Sequence, residues 1–178
     1  MTVTVDGTIG VSLVQDGTIT TTKLVDGNVT PVKTQVGALP SMIKLGLANG
    51  YGTTNTCIRR FTNVLSTQGT DITYADSATL GGSMTINTAG VYAVAYTDQF
   101  NANAFTGLSL NTTQGATAIY SILAPECISG AYTPTSGGTA FVGCSQFFAS
   151  GSVIRAHTQG NATGGNPNNC QFTITRVA

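Results

Sequence analysis

The stretch Val91-Tyr92-Ala93-Val94-Ala95-Tyr96-Thr97-Asp98-Gln99 alternates two residue sets with a period of two. Val91, Ala93, Ala95 and Thr97 fall on one side, and Tyr92, Val94, Tyr96 and Asp98 on the other. That period belongs to a β-strand, whose successive side chains point to opposite faces. Neither face is fully polar, which is consistent with one face in the chain's own core and the other against a partner. The same reading, extended along the chain, gives strands at 57–62, 83–87, 106–111, 118–123, 139–149, 152–158 and 171–177. Clusters of Gly, Pro, Asn and Ser separate them at the spacing of an all-β sandwich or barrel. No long amphipathic helix is apparent.

The 178 residues suit one ordinary domain with an appendage, and the 41% apolar content is enough for a core. Charge is the unusual quantity. Only 8% of residues are Asp, Glu, Lys or Arg and the net charge is zero, against roughly a quarter charged in ordinary soluble domains. The basic residues form no stripe, so nucleic acid is not an expected partner. No apolar run reaches the eighteen or so residues of a membrane-crossing helix, so membrane insertion is not expected. Met1 to Asp6 carries neither the basic nor the apolar segment of a signal peptide, and the expectation is synthesis and assembly in a cytoplasm.

The first 37 residues read differently. Asp6-Gly7, Asp16-Gly17 and Asp26-Gly27 recur every ten residues, each followed by a short β-prone run. Asp-Gly supplies a turn, because Gly accepts a positive φ and the Asp side chain bonds nearby amides. The rows align Ile9, Ile19 and Val29, and Val14 with Leu24, while Lys23 and Lys33 share an outer position. So few residues cannot close a core alone and need neighbours. The expectation is a short extended stalk, at most about 100 Å long at 3.3 Å per residue. The fourth row fails at Gln35-Val36-Gly37, and Pro40 bars a continued ladder. Residues 38–54 read as a linker and 55–178 as the head.

Chemistry-bearing residues are sparse. Cys57, Cys127, Cys144 and Cys170 have no paired spacing, so no metal site or cofactor is expected, and small buried thiols are the reading. A Cys57–Cys170 bond stays open if the first and last head strands pair. His157 is the one histidine, and it reads as a ring on a strand face or a trimer contact rather than a catalytic base. The head's four acids, Asp71, Asp76, Asp98 and Glu126, are dispersed, which disfavours a paired-carboxylate glycosidase. No catalytic residue is assigned.

Adjacent Arg59 and Arg60 must point to opposite faces. One is expected at a trimer contact, paired with Asp71, Asp76 or Asp98, and the other exposed. Tyr92 and Tyr96 share a strand face, which fits a packed core or trimer axis better than a sugar platform. The Gly-rich stretches 129–138 and 159–169 read either as connectors or as displayed recognition loops, with Tyr132, Thr133, Asn161, Asn166 and Asn168 as candidate receptor contacts.

The punctuation of the head also resembles a known family. Met84-Thr85-Ile86-Asn87-Thr88-Ala89-Gly90-Val91-Tyr92-Ala93-Val94 resembles the C1q/TNF-like jelly-roll segment in which a short strand turns through Gly into an aromatic-bearing strand. Gly107-Leu108-Ser109-Leu110-Asn111, Ala149-Ser150-Gly151-Ser152-Val153-Ile154-Arg155 and Gln171-Phe172-Thr173-Ile174-Thr175-Arg176 are similar to its later strands, in order. Members are compact trimers, so the resemblance implies a homotrimer. The scattered acids depart from the clustered acidic metal sites of some members. The Asp-Gly rows, with Ile58-Arg59-Arg60-Phe61-Thr62 and the block Asp71 to Gly81, resemble small fibre proteins of tailed bacteriophages.

The fold class expected is therefore all-β: a C1q/TNF-like jelly-roll sandwich behind a short extended β-repeat stalk, assembled as a homotrimer. The resemblance implies a non-enzymatic virion protein, made in the host bacterial cytoplasm. Its stalk would dock on another virion protein and its head on a host-surface glycan. A capsid head fibre or decoration protein is the alternative role, and a polysaccharide-degrading enzyme a third.

Overall fold

The structure is a computed structural model and describes residues 40–133, 137–160 and 166–177, which belong to one compact unit. The Asp-Gly rows, with Asp6, Gly7, Asp16, Gly17, Asp26 and Gly27, lie outside the described residues, as does Asn161.

Ten strands follow one another: β1 Met42–Tyr51, β2 Arg59–Gln68, β3 Ile72–Ala75, β4 Ser83–Ile86 and β5 Gly90–Gln99, then β6 Ala104–Leu110, β7 Cys127–Thr133, β8 Thr139–Phe148, β9 Val153–Thr158 and β10 Gln171–Arg176. Two five-stranded sheets result, ordered β2-β1-β10-β5-β8 and β3-β4-β9-β6-β7. Every pairing is antiparallel. From β4 onward the chain passes back and forth between the sheets at every step except β6 to β7, which pair within the second sheet, and this is the jelly-roll path.

The alternation of β5 decides what lies between the sheets. Tyr92, Val94 and Tyr96 face inward and are buried, as are Ile43, Leu45, Phe61, Val142, Phe148, Phe172 and Ile174 from the same sheet. Ile72, Met84, Ile86, Leu108, Ile154 and Ala156 meet them from the second sheet. Phe61 sits edge-on to Tyr96 at 6.2 Å and tilted against Phe172 at 5.8 Å between ring centroids. Burial of each large side chain contributes roughly 1.5–3 kcal/mol, so this inter-sheet layer is the main source of stability.

The structure corrects three sequence expectations. Residues 38–54 are not a linker, because Met42–Tyr51 is a strand paired with β2 on one side and β10 on the other. The Asn49-Gly50 signal marks an irregularity between Ala48 and Tyr51, where Gly50 takes a positive φ, rather than a strand end. The stretch 118–123 is not a strand. It holds a 3-10 turn, Ile119–Ser121, inside a long loop laid over the second sheet. Conversely, Ser129 to Thr133 belongs to edge strand β7, whose glycine and serine mimic loop composition. Strand β3, only four residues long, has no counterpart among the expected strands.

Candidate functional site

Side chains read as trimer contacts lie mostly inside the chain's own fold. Arg59 is 3% exposed and Asp98 fully buried. The guanidinium Nε donates to Asp98 Oδ2 at 2.5 Å and Nη2 to Oδ1 at 2.8 Å. The same carboxylate accepts from the Tyr96 hydroxyl, the Cys170 thiol and the Gln99 amide. Arg59 also lies 4.8 Å above the Tyr51 ring and 5.8 Å from that of Phe100. Burial alone would lower the Arg59 pKa, but the Asp98 bonds carry it above its ordinary value. Burial, then the Asp98 charge, pushes the Cys170 thiol up to about 11 and the Tyr96 phenol well above its usual range. A guanidinium, a carboxylate and protonated thiol and phenol satisfy one another here, a structural network rather than a reactive one.

The expectation of one buried and one exposed arginine is met in part. Arg59 pairs with Asp98, within this chain. Arg60 is half-buried and pairs with Asp76 at 2.8 Å, and Arg176 bridges to Asp71 at 2.9 Å. Tyr92 donates to the Thr88 carbonyl at 2.6 Å and, like Tyr96, is core. As contacts between copies Arg59, Tyr92, Tyr96 and His157 are therefore corrected: their side chains are already covered by their own chain. All four cysteines are free thiols, and Cys170 engages Asp98 instead of Cys57.

His157 deserves a chemical test because it touches Ser109, half of a nucleophilic arrangement. Its Nε2 lies 2.7 Å from the Thr117 carbonyl, and a carbonyl only accepts, so Nε2 carries the proton. Nδ1 then accepts from the Ser109 hydroxyl at 3.1 Å. Both residues are fully buried, so no substrate can meet the serine oxygen. Burial, aided by the charge of Arg155, holds the His157 pKa below its ordinary 6.5, although the Thr117 bond opposes this. The histidine is a neutral clamp fastening the loop between β6 and β7 to the sheet.

That loop defines a cleft. Gly107 lets it lie close: a Cβ there would stand 2.7 Å from Ile119 Cγ1 and collide with the Ser129 carbonyl. Ile119 is thereby buried while the next residue, Tyr120, is 62% exposed. Tyr120 lies 4.9 Å from the Phe105 ring, and Phe105 lies 4.5 Å from that of Tyr132, its cross-strand partner. These rings border a cavity of about 370 Å³ with Thr106, Ile119, Cys127, Gly130 and Ala131. Of the proposed receptor residues, Tyr132 lines this cleft and Thr133 is buried. Asn166 and Asn168 are exposed in a separate turn, where the Asn166 amide donates to Gln99 Oε1. Sequence reading missed Phe105 and Tyr120, the first just outside an expected strand and the second inside a false one.

The first sheet has its own open face. Register aligns Val91 with Phe147, Ala93 with Ser145, Ala95 with Gly143 and Thr97 with Phe141, and β10 adds Thr173 and Thr175 beside Ala95 and Ala93. Small uncharged side chains thus make a flat floor. Phe141 and Phe147 stand along its β8 edge, 65% and 64% exposed. Among the described residues, no three His, Cys, Asp or Glu side chains gather as metal ligands would, and no helix is long and apolar enough to cross a membrane.

These features define a C1q/TNF-like jelly roll with an aromatic cleft on one sheet and, on the other, an outer face of uncharged side chains across β5, β8 and β10, bordered by Lys44 of β1. Among solved structures the chain is similar to murine APRIL at pH 8.5, with a TM-score of 0.58 and 11% identity over 78% of this chain and 100% of that one. Murine APRIL at pH 5.0 gives 0.57 and 10% over the same shares. At such identity the likeness is one of fold. No protein-family model matches the sequence, and no curated protein matches it.

Proposed function

We propose that this chain is a non-enzymatic virion protein, the homotrimeric short tail fibre of a bacteriophage, whose head binds a host-surface glycan. The observation that carries the reading is the presence of two open uncharged surfaces on opposite sheets. The flat face of β5, β8 and β10 suits a second copy of the chain. Its floor of Ala, Gly, Ser and Thr permits close approach, and Phe141 and Phe147 supply the large apolar contacts on which interfaces depend. The cleft on the other sheet then remains free for a ligand. The resemblance of the amino-terminal rows to phage fibre repeats supports an attachment role for residues 1–37, against another virion protein. The particle is assembled in the host bacterial cytoplasm. Three heads on one stalk bind multivalently, so individually weak sites give firm adhesion.

The test is competition. Purified full-length chain, with its trimeric mass established by sedimentation, is added to susceptible cells before phage. Adsorption should fall as the protein saturates the surface. Unchanged adsorption at saturating protein rejects the receptor role, and a stable monomer rejects the assembly.

A further inference from the structure

We propose that the cleft between Phe105, Tyr120 and Tyr132 is the glycan subsite and takes one face of a neutral pyranose ring. The inference deepens the receptor-binding reading and rests on it for the biological source of the sugar.

Phe105, Tyr120 and Tyr132 stand 36%, 62% and 48% exposed, with each tyrosine ring centroid within 5 Å of that of Phe105. Leaving that much apolar surface open costs stability, which a purely structural cluster would recover by packing the rings inward. Their arrangement is also fixed beforehand. Phe105 and Tyr132 are opposed across β6 and β7, while Tyr120 rides on the turn held by buried Ile119 and by the His157–Thr117 bond. A preformed site loses little ordering entropy on binding.

Gly130 is the second observation. A Cβ built there meets nothing nearer than the Thr106 carbonyl at 3.6 Å, and its φ is not in the left-handed region. Neither crowding nor backbone strain demands glycine, in contrast to Gly107. What the missing side chain does is keep the wall of the cleft open.

Charge complementarity selects the occupant. No acid or base lines the cavity. An anionic sugar or phosphate would surrender hydration against these walls without gaining a counter-ion. A neutral pyranose offers an apolar C–H face to stack on the rings, and its equatorial hydroxyls reach the rim, where the two tyrosines carry polar tips. The volume of about 370 Å³ falls within the range of small-ligand clefts, about 300–1,000 Å³.

Saturation-transfer NMR on the full-length chain tests this, with the methyl glycosides of glucose, galactose, mannose and N-acetylglucosamine as probes and glucuronic acid as the charged comparator. At least one neutral glycoside should take up saturation. Gly130→Val fills the cleft without disturbing the core and should weaken binding by roughly two- to twelvefold, the scale of one lost stacking contact. Tyr120→Ala should act likewise, with the sedimentation of both variants unchanged. The proposal is overturned if no neutral glycoside binds, if glucuronic acid binds as well as the best of them, or if either variant binds as the parent does. It is overturned equally if these substitutions break the assembly, since the cleft would then be a contact between copies. Two further results separate this proposal from the receptor role. Parent and Gly130→Val blocking adsorption equally would refute the cleft and leave the receptor reading standing. A glycoside bound in the cleft, with no block of adsorption, would do the reverse.

Discussion

Removing one partner of the Arg59–Asp98 pair should be far more damaging than removing both. Asp98→Leu leaves a guanidinium that cannot shed its proton, 3% exposed, with no carboxylate to accept from it. Breaking a buried pair from one side costs about 3–5 kcal/mol. The Tyr96 hydroxyl loses its acceptor as well, adding roughly 1–3 kcal/mol. Arg59→Met should be the milder single change, because Asp98 keeps donors from Tyr96, Cys170 and the Gln99 amide. In the double variant no charge is stranded, and the cost should shrink to the orphaned hydroxyl and thiol. Urea unfolding at one fixed protein concentration measures all four species. The two costs amount to about 4–8 kcal/mol, so in thermal scans Asp98→Leu should lower the midpoint by roughly 10–30 °C, at about 2–4 °C per kcal/mol for a chain of this size. The double variant should be more stable than Asp98→Leu, with a coupling energy of at least about 2 kcal/mol. Additivity within about 0.5 kcal/mol, the behaviour of independent sites, would refute the account of this network.

Phe141→Asp and Phe147→Asp, each a charge placed on the open face of β8, should shift the sedimenting species towards monomer with the thermal midpoint of the head little altered; an unchanged assembly would move the interface elsewhere. Stability should also decline as pH falls below about 6.5. His157 is neutral in the fold, its pKa depressed by burial, so the unfolded chain binds the extra proton first. Thermal scans between about pH 8 and pH 5 should show this slope, and His157→Gln should flatten it. Gly107→Val should destabilise the head by about 1–3 kcal/mol, as overpacking does, and displace the Tyr120 loop, visible as altered Tyr120 ring resonances in NMR; a variant as stable as the parent would contradict the close approach of Ile119.

Period-two alternation made the core of β5 readable, because half of every inter-sheet strand must be apolar for the sheets to meet. Strands β8, β9 and β10 were legible as strands, because turn-forming clusters of Gly, Ser and Asn bound each of them. Strand β1 was hidden by Asn49-Gly50, since turn chemistry inside a bulged strand has the same composition as a turn between strands. The false strand at 118–123 has the opposite cause: Ile119 and Ile122 are buried against the outside of a sheet, and their apolarity mimics a ladder. Arg59 and Asp98 lie 39 residues apart and could be named as possible partners, yet burial within one chain rather than between copies depends on the fold. The cleft was legible only at Tyr132. Phe105, Tyr120 and Gly130 converge through pairing register and a loop clamp, neither of which leaves a local signal.

The clamp on that loop is a bond from His157 to the main-chain carbonyl of Thr117. A carbonyl is present whatever side chain position 117 bears, and the two exposed tyrosines contribute nothing to the inter-sheet layer. Substitutions at 117, 120 and 132 can therefore accumulate with little penalty to folding. The scaffold can keep its shape while the lining of the cleft changes, so a ligand preference resting on that lining would be free to drift without cost to the fold.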